Sequence, residues 1–344
     1  MIPQEKSAGV ASGLQQAFGV TELEDIRMIT RGHTSSLVFR IVVGGTPYLL
    51  KIIMRKDSPA RHYACMRAAA EAGLAPHVWY TNVEEKICIT DFVEEAPFPV
   101  TEARVRIPAA LRALHGLSPF PRTPNHMNTT CMFLVHKGAA VDDFVQKFQA
   151  ANFVPKGKSA ELFASYAQVA AVYPTHDENH HDPDMVSSHN DLFKPDNMLF
   201  SENRLWLVDW EAAFLNDRYA DLAVAASLVV TNEAEERAFL QEYFGGPPDE
   251  YQLARFFVMQ QIAHMFYGMV FLFLGSSGQP IDWSQTVPEF TDFHRRIWAG
   301  DVNLADNDTK IVYGKVHLEK LLGNVQKARY HEALRIVSTR HATA

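Results

Sequence analysis

The chain has 344 residues, of which 47% are apolar, so it is long enough to bury a substantial core in one large domain or two lobes. Its charged fraction of 21% is that of an ordinary globular protein, which argues against wholesale disorder. The formal net charge of −8 disfavours nonspecific binding to nucleic acid or to an anionic membrane.

The predicted elements of the first 95 residues form a small antiparallel sheet with helices. An amphipathic helix occupies the first twenty or so residues, with Leu14, Phe18 and Val20 on its apolar side. Strands are predicted over residues 26–30, 37–43, 48–54, 77–80 and 87–92, and a helix over residues 59–72. Gly44 and Gly45 suit a hairpin turn because glycine accepts the positive φ that such turns need.

The rest of the chain is predicted to be mostly helical. Helices are expected over residues 108–117 and 161–172 and over most of the chain after residue 220, with short strands over residues 198–200 and 205–208. The sequence therefore predicts an α+β fold: a small sheet lobe over residues 1–95, and a larger, mostly helical lobe over residues 96–344 that contains a small hairpin.

Cysteine usage and hydropathy predict a cytoplasmic protein. Cys65, Cys88 and Cys131 form neither a disulfide framework nor a CxxC zinc pattern. No signal peptide is expected, since the N-terminus lacks a basic start followed by an apolar run. Residues 256–274 look membrane-like, but they include polar side chains and their purely apolar part is too short to cross a bilayer, so a buried core helix is predicted.

The strongest functional signal lies in residues 188–223. An apolar hairpin separates Asn197 from Asp209, so the two should lie side by side where its strands begin and end, close to Asp191. Hard oxygen ligands of this kind suit Mg²⁺. Either acid taken alone is explained as well by a turn or capping role, whereas the combination favours a metal site.

The same segment resembles the choline kinase and aminoglycoside phosphotransferase family, which has a two-lobed, protein-kinase-like fold. The matching elements are His189-Asn190-Asp191, Asn197 and Asp209-Trp210-Glu211. The continuation LNDRYADLA, residues 215–223, is similar to the choline kinase-like branch. The resemblance is strong over residues 188–223, fair over residues 26–97 and weak through the C-terminal helices.

This resemblance implies transfer of the γ-phosphoryl group of ATP to a hydroxyl of a small molecule. Asp191 would orient the acceptor hydroxyl and accept its proton, and Asn197 and Asp209 would hold Mg²⁺. His189 and Asp221 would brace the catalytic loop. The acceptor would be a small-molecule alcohol, and neither nucleic acid nor a membrane is expected as a partner.

The spacing from Asp191 to Asn197 is six residues, one more than in the family. Phe193 is the best candidate for the inserted residue, and a bulge there would keep Asn197 on the metal. Otherwise Asp196 would be the ligand. With Asn197 as the ligand, Lys194 would lie where protein kinases keep a phosphate-contacting lysine, or it would simply be solvated.

Lys51 lies in the middle of an apolar strand, where a buried ammonium needs a partner. The resemblance makes it the lysine that contacts the α- and β-phosphates, and the alternative is an edge-strand lysine that faces solvent. The loop over residues 31–36 would cover the phosphates, and the backbone near residues 91–93 would bind adenine. The implied ATP-binding residues besides Lys51 are Gly32, Thr34, Ser35, Ser36, Asp91 and Val93. No Walker A pattern is present.

The glutamate that usually pairs with this lysine from the following helix is missing near residues 62–64. His62, or no residue, is left as the partner of Lys51. This gap and the longer spacing make a non-catalytic nucleotide-binding pseudokinase the main alternative of another class.

The acceptor site is predicted to be aromatic and acidic. Its candidate lining residues are Trp210, Glu211, Tyr219, His264 and Tyr267. Such a pocket would suit a cationic amino alcohol through cation–π contacts, although aromatics at helical spacing also suit a plain core. Choline-, ethanolamine- or thiamine-like alcohols are preferred over aminoglycosides because the DWE and NDRYADLA elements, residues 209–211 and 216–223, look more like the choline kinase-like branch.

A second alternative is a metalloenzyme, from the cluster of His and Asp residues between 176 and 184. Its members are His176, Asp177, His180, His181, Asp182 and Asp184. Pro183 interrupts any helix there and no H-E-x-x-H arrangement occurs, so a solvated loop is expected. The sequence does not fix the oligomeric state.

Overall fold

The computed structural model describes residues 2–29, 36–122, 139–173 and 183–341. The chain divides into two compact units: a sheet unit, Met1–Phe98 with Asp196–Phe214, and a helical unit, Pro99–Pro195 with Leu215–Ala344. A five-stranded antiparallel sheet in one unit and mostly helices in the other confirm the predicted α+β class.

The sheet unit is built on strands in the order β1-β2-β3-β5-β4. The strands are β1 (Asp25–Met28), β2 (Ser36–Val43), β3 (Thr46–Ile53), β4 (Val78–Asn82) and β5 (Ile87–Asp91), and the helices are α1 (Gln4–Phe18) and α2 (Ala60–Glu71). Gly44 and Gly45 have φ of 58° and 74°, as the β2–β3 hairpin turn requires. Leu14 of α1 is buried in the core beside the sheet. Val20 lies beyond the helix and is 37% exposed, so its assignment to the apolar side is wrong.

A second hairpin, β7 (Met198–Ser201) with β8 (Arg204–Leu207), also belongs to the sheet unit. The Leu207 amide donates to the Leu74 carbonyl at 2.8 Å, and the Ala96 amide donates to the Phe200 carbonyl at 2.7 Å. These backbone bonds tie the hairpin to the chain that follows α2 and β5. The predicted division near residue 95 places this hairpin in the C-terminal lobe, whereas the hairpin belongs to the sheet unit.

The helical unit contains nearly all the remaining elements of the described chain. They are α3 (Val100–His115), α4 (Ala139–Ala151), α5 (Lys156–Val172), β6 (Met185–Ser188), β9 (Phe214–Asp217), α6 (Arg218–Val229), α7 (Glu233–Phe244), α8 (Glu250–Ser276), α9 (Phe290–Trp298), α10 (Asn307–Val325) and α11 (Ala328–His341). The pair β6–β9 is its small sheet, and β9 begins at the residue where the sheet unit ends.

Helix α8 forms the centre of the helical unit and packs against α5, α6, α10 and α11. It is long and apolar enough to cross a membrane, but 78% of its most apolar window is buried inside the protein, as in the predicted core helix. α10 approaches it closely: a Cβ on Gly268 would lie 2.3 Å from Leu318, and one on Gly314 would lie 2.8 Å from Leu272. Side chains of α8 and α10 therefore face one another across a short gap.

Candidate active site

The β7–β8 hairpin positions the two predicted metal ligands. The Val208 amide donates to the Asn197 carbonyl at 3.1 Å, so Asn197 and Asp209 lie at the same end of the hairpin. Asp209 has φ 66° and ψ 61°, a left-handed conformation that aspartate tolerates better than most residues. A 3₁₀ turn, Trp210–Ala212, follows directly.

Lys51 of β3 lies in a cluster of opposite charges within the sheet unit. Its Nζ is 2.8 Å from Asp209 Oδ1 and 2.9 Å from Glu211 Oε1, and Arg55 is 2.7 Å from the other oxygen of Glu211. Lys51 is only 8% exposed. Burial by itself lowers its pKa, but the two carboxylates outweigh burial and hold the pKa above its usual value. Lys51 is therefore a buried, charged residue, and the alternative of a solvent-facing edge lysine is wrong.

The pairing of Lys51 with Asp209 and Glu211 corrects the expectation that His62, or no residue, would be its partner. Burial and the nearby Lys51 lower the pKa of His62 to about 3, so its ring is neutral. Helix α2 contributes Arg61 instead, whose guanidinium donates to the Glu211 carbonyl at 3.0 Å and also to the Ala213 carbonyl. The 3₁₀ turn thus supplies the carboxylate that α2 lacks, and the Arg61 side chain of α2 binds the backbone of this turn.

In the helical unit, Asp221 fixes the loop that precedes Asp191. Its carboxylate accepts from the amides of His189 and Asn190, each at 2.7 Å, and lies 3.3 Å from His115 Nε2. Burial raises the pKa of Asp221, but His115 and His189 outweigh it and hold the pKa below its usual value. His115 comes from α3, 106 residues before Asp221, and no local pattern marks it as part of the site.

Phe193, the predicted inserted residue of the loop, packs against aromatic side chains in the helical unit. The Phe193 ring centroid is 5.5 Å from that of Tyr267 and 5.8 Å from that of Phe271, both on α8. Pro195–Asn197 then forms a single 3₁₀ turn that leads into β7. The two compact units meet along the chain within this turn, so Asp191 belongs to the helical unit and Asn197 to the sheet unit.

The remaining predicted ATP-binding residues are only partly described. Gly32, Thr34 and Ser35 lie outside the described residues, and Ser36 begins β2. Asp91 ends β5, and its carboxylate accepts from Trp79 Nε1 at 2.7 Å. Val93 follows two residues later and is half-buried.

The proposed histidine-rich metal cluster falls almost entirely outside the described residues, as does Cys131. Its one described member, Asp184, pairs with Arg218 at 3.0 Å and with Arg255 at 3.4 Å. Among residues 2–29, 36–122, 139–173 and 183–341, no group of three or more His, Cys, Asp or Glu side chains is placed to hold a metal.

The predicted acceptor residues are divided between the units, with Trp210 and Glu211 in the sheet unit and the other three in the helical unit. Trp210 is 1% exposed and donates from Nε1 to the Leu207 carbonyl at 3.1 Å, and Glu211 is paired with Lys51 and Arg55. Tyr219 is also buried, with the Arg255 guanidinium 5.0 Å from its ring centroid. The other two residues, His264 and Tyr267, line a cavity of about 210 Å³ in the helical unit.

Residues 25–257 match the family model described as the phosphotransferase enzyme family. The chain belongs to this phosphotransferase family. A curated relative, protein LicA of Haemophilus influenzae, is 34% identical over 98 residues, which is 28% of this chain and only 27% of LicA. The predicted resemblance to choline kinases and aminoglycoside phosphotransferases is thereby confirmed at the level of the family.

Solved structures of other phosphotransferases share the fold. A choline/ethanolamine kinase family protein from Mesorhizobium loti superposes with a TM-score of 0.62 at 18% identity, covering 97% of this chain and 99% of that one. A candidate aminoglycoside phosphotransferase from Ralstonia eutropha gives 0.57 at 13% identity, covering 92% and 98%. At these identities the likeness concerns the fold alone, and it confirms the kinase-like fold predicted from the sequence.

Proposed function

We propose that this phosphotransferase is a cytoplasmic, ATP-dependent enzyme that moves the γ-phosphoryl group to a hydroxyl of a small molecule. The observation that carries the proposal is the buried cluster of Lys51, Asp209 and Glu211. One ammonium between two carboxylates suits a site where a metal-bound triphosphate enters: Asp209 has an alternative partner in the metal, and Lys51 keeps Glu211 as its counter-ion.

The donor atoms at the hairpin fit Mg²⁺, because Asp209 offers a carboxylate and Asn197 a carboxamide next to it. Bound Mg²⁺ would offset the negative charge of the phosphates during transfer. Lys51 presents its Nζ to phosphate oxygens, and Glu211 keeps that ammonium in place. Arg61 holds the backbone of Glu211, so the carboxylate is positioned from behind.

Asp191 is the proposed general base. The oxygen of the acceptor hydroxyl forms a bond to the γ-phosphorus while the bond from that phosphorus to the β,γ-bridging oxygen breaks, and ADP leaves with that electron pair. The hydroxyl proton passes to the Asp191 carboxylate. The amide bonds from His189 and Asn190 to Asp221 keep the loop in position for this transfer.

For the acceptor, the sequence-based preference is a choline-, ethanolamine- or thiamine-like alcohol, with an aminoglycoside second. Relatives named as choline/ethanolamine kinases support the first choice, but they share under a fifth of their residues with this chain. Glu211, the acidic residue predicted to attract a cationic substrate, is committed to Lys51 and Arg55. We therefore infer the acceptor class from the side chains that line the cavity of His264 and Tyr267.

The test is a panel of small alcohols incubated with Mg–ATP, with ADP release as the readout. We expect at least one acceptor to stimulate ADP release, and we expect Asp191→Asn to lower that rate by about 10²–10⁴-fold while leaving ATP affinity unchanged. Glu202→Gln, in the exposed turn of the β7–β8 hairpin, is the matched control and should retain full activity. Mg–ATP binding without acceptor-dependent ADP release would instead identify a pseudokinase.

A further inference from the structure

The cavity in the helical unit lies between α6, α8 and α10. Gln260, His264 and Tyr267 follow one face of α8, and His317 and Lys320 lie on the facing side of α10. Its volume of about 210 Å³ is larger than the 150 Å³ that encloses a benzene molecule in another protein, so it has room for a ligand of about eight non-hydrogen atoms. That is the size of a small metabolite.

The cavity begins beside the catalytic loop. Tyr267, one of its walls, contacts Phe193, which follows Asp191 by two residues. Ala223 and Ser227 of α6 form another wall, and the same helix carries Asp221, which braces the loop. Tyr267 therefore connects one wall of the cavity to the loop that carries Asp191, within one compact unit.

Positive charge exceeds negative charge among the cavity walls. Three basic residues, Lys320, Lys327 and Arg329, line it against two acidic ones, Glu233 and Glu236. Arg329 pairs with both acids, at 3.3 Å from Glu233 and in a close contact with Glu236. One guanidinium is therefore shared between two carboxylates, and the three basic and two acidic side chains of the lining leave one net positive charge.

The two lysines have weaker partners. Lys320 lies 3.9 Å from Glu289, beyond hydrogen-bond distance, and Glu289 caps α9 by accepting from the Thr291 amide at 2.6 Å. Lys327 donates to the Asn324 side-chain oxygen at 3.0 Å. Burial, together with the nearby Lys327, lowers the pKa of Lys320 despite Glu289. An added anion would relieve this repulsion between the two ammonium groups.

Two of the aromatic rings that line the cavity already have one of the protein's own cations over them. The Arg329 guanidinium lies 4.3 Å from the Phe257 ring centroid, and Lys320 Nζ lies 5.3 Å from that of Phe290. A quaternary ammonium ligand needs such faces for cation–π binding. It would have to displace these side chains and would meet their positive charge.

The floor of the cavity offers groups that can hold a hydroxyl. His264 Nδ1 and His317 Nδ1 are 3.1 Å apart, and burial holds the pKa of both rings well below the usual value, so both are neutral. Two neutral rings joined in this way share one proton, which leaves one Nε2 as a donor and the other as an acceptor. His317 Nε2 is buried without a hydrogen-bond partner among the described residues.

We propose that this cavity binds a small alcohol carrying an anionic group, a carboxylate or a phosphate, which Lys320 and Lys327 hold while His264 contacts its hydroxyl group. That this ligand is the phosphoryl acceptor rests on the proposed function, whereas its binding does not. The proposal departs from the cationic amino alcohol that the sequence favoured.

Calorimetric titration without nucleotide tests the binding. The probes are D-glycerate, glycerol and choline, which are similar in size and differ in charge, with inorganic phosphate and 2-hydroxyethyl phosphate as the phosphate arm. We expect glycerate or 2-hydroxyethyl phosphate to bind at least tenfold more tightly than glycerol, and choline to bind most weakly. The anion with the higher affinity shows whether the cavity prefers a carboxylate or a phosphate. Choline binding as tightly as the anions would overturn the proposal.

Two variants on α10 show where the anion binds. Lys320→Met should weaken anion binding about tenfold or more and leave glycerol binding unchanged. Lys310→Met, which removes a lysine from the same helix outside the cavity lining, should change neither, and thermal unfolding confirms that both variants are folded. Equal anion affinity in Lys320→Met and the unmodified protein would also overturn the proposal.

The same probes, added with Mg–ATP, separate this proposal from the proposed function. Lys320-dependent anion binding without ADP release supports the cavity proposal and contradicts phosphoryl transfer to that ligand. ADP release with choline, in the absence of anion binding, supports the transferase function and overturns the cavity proposal.

Discussion

The charged cluster of the sheet unit and the cavity of the helical unit differ in their balance of positive and negative side chains. In the cluster, Lys51 has two carboxylates within 3 Å, and Arg55 completes the pairing of Glu211. In the cavity, basic residues outnumber acidic ones and the two acids already share Arg329. The first arrangement is balanced and receives a ligand that brings its own cation, whereas the second is unbalanced and calls for a ligand that is itself an anion.

Removing Lys51 is the strongest way to break the balance of the cluster. Lys51→Met leaves Asp209 and Glu211 facing each other without their shared cation, so we expect the free energy of unfolding to fall by about 3 kcal/mol. Denaturant unfolding at neutral pH measures the loss. Lys56→Met, at an exposed position five residues further on, is the control and should change stability by less than about 0.5 kcal/mol. A loss of unfolding free energy no larger than that of the control would mean that Lys51 is not needed to offset the charge of the two carboxylates.

Acid should destabilise the helical unit through its buried histidines. Burial holds the pKa of His294 at about 4, and those of His264 and His317 well below the usual 6.5. Because the folded-state pKa is lowered, the unfolded chain takes up the proton first, so stability present above pH 6.5 is lost as pH falls toward the folded pKa. Each histidine contributes about 1.4 kcal/mol per pH unit in that window.

His294→Gln tests this contribution directly. Unfolding free energies measured between pH 7 and pH 4.5 should fall less steeply in the variant, by about 1.4 kcal/mol per pH unit, because one proton uptake is removed. His331→Gln, at an exposed site in α11, should leave the slope unchanged. An unaltered slope in His294→Gln would show that this ring is already protonated in the folded protein.

A smaller effect is expected where α1 lies against the sheet. A Cβ at Gly13 would lie 2.8 Å from the Tyr80 ring, so Gly13→Ala must displace the helix or the ring and should cost about 1–2 kcal/mol. Gly157→Ala in α5 meets open space and should instead stabilise the protein by about 0.5 kcal/mol. Thermal unfolding of both variants gives the comparison, and equal shifts in one direction would contradict the packing described here.

The sequence predicts those parts of the site whose residues lie close together along the chain. Two short apolar runs around a two-residue turn predict the hairpin that carries Asn197 and Asp209, and the apolar run around Lys51 predicts its strand. The residues that were missed or misassigned depend on distant pairings. Glu211 meets Lys51 from 160 positions along the chain, and its place in the DWE motif suggested substrate binding instead.

The cavity shows the same limit more strongly. Its two histidines and Lys320 come from α8 and α10, about 50 residues apart, and no motif links them. The close approach of these helices depends on Gly268 and Gly314, whose importance emerges only when both helices are in place. Helical spacing identified His264 and Tyr267 as neighbours, but it carried no information about the cations that cover the aromatic rings.

Calorimetric titration of ATP in the presence and absence of Mg²⁺ tests the role of the charged cluster most directly. For the unmodified protein we expect binding that strengthens at least tenfold with Mg²⁺, and for Asp209→Asn we expect that gain to disappear while the fold persists. ATP binding that is insensitive to Mg²⁺, or a gain that survives in Asp209→Asn, would contradict a metal-bound triphosphate at Lys51, Asp209 and Glu211.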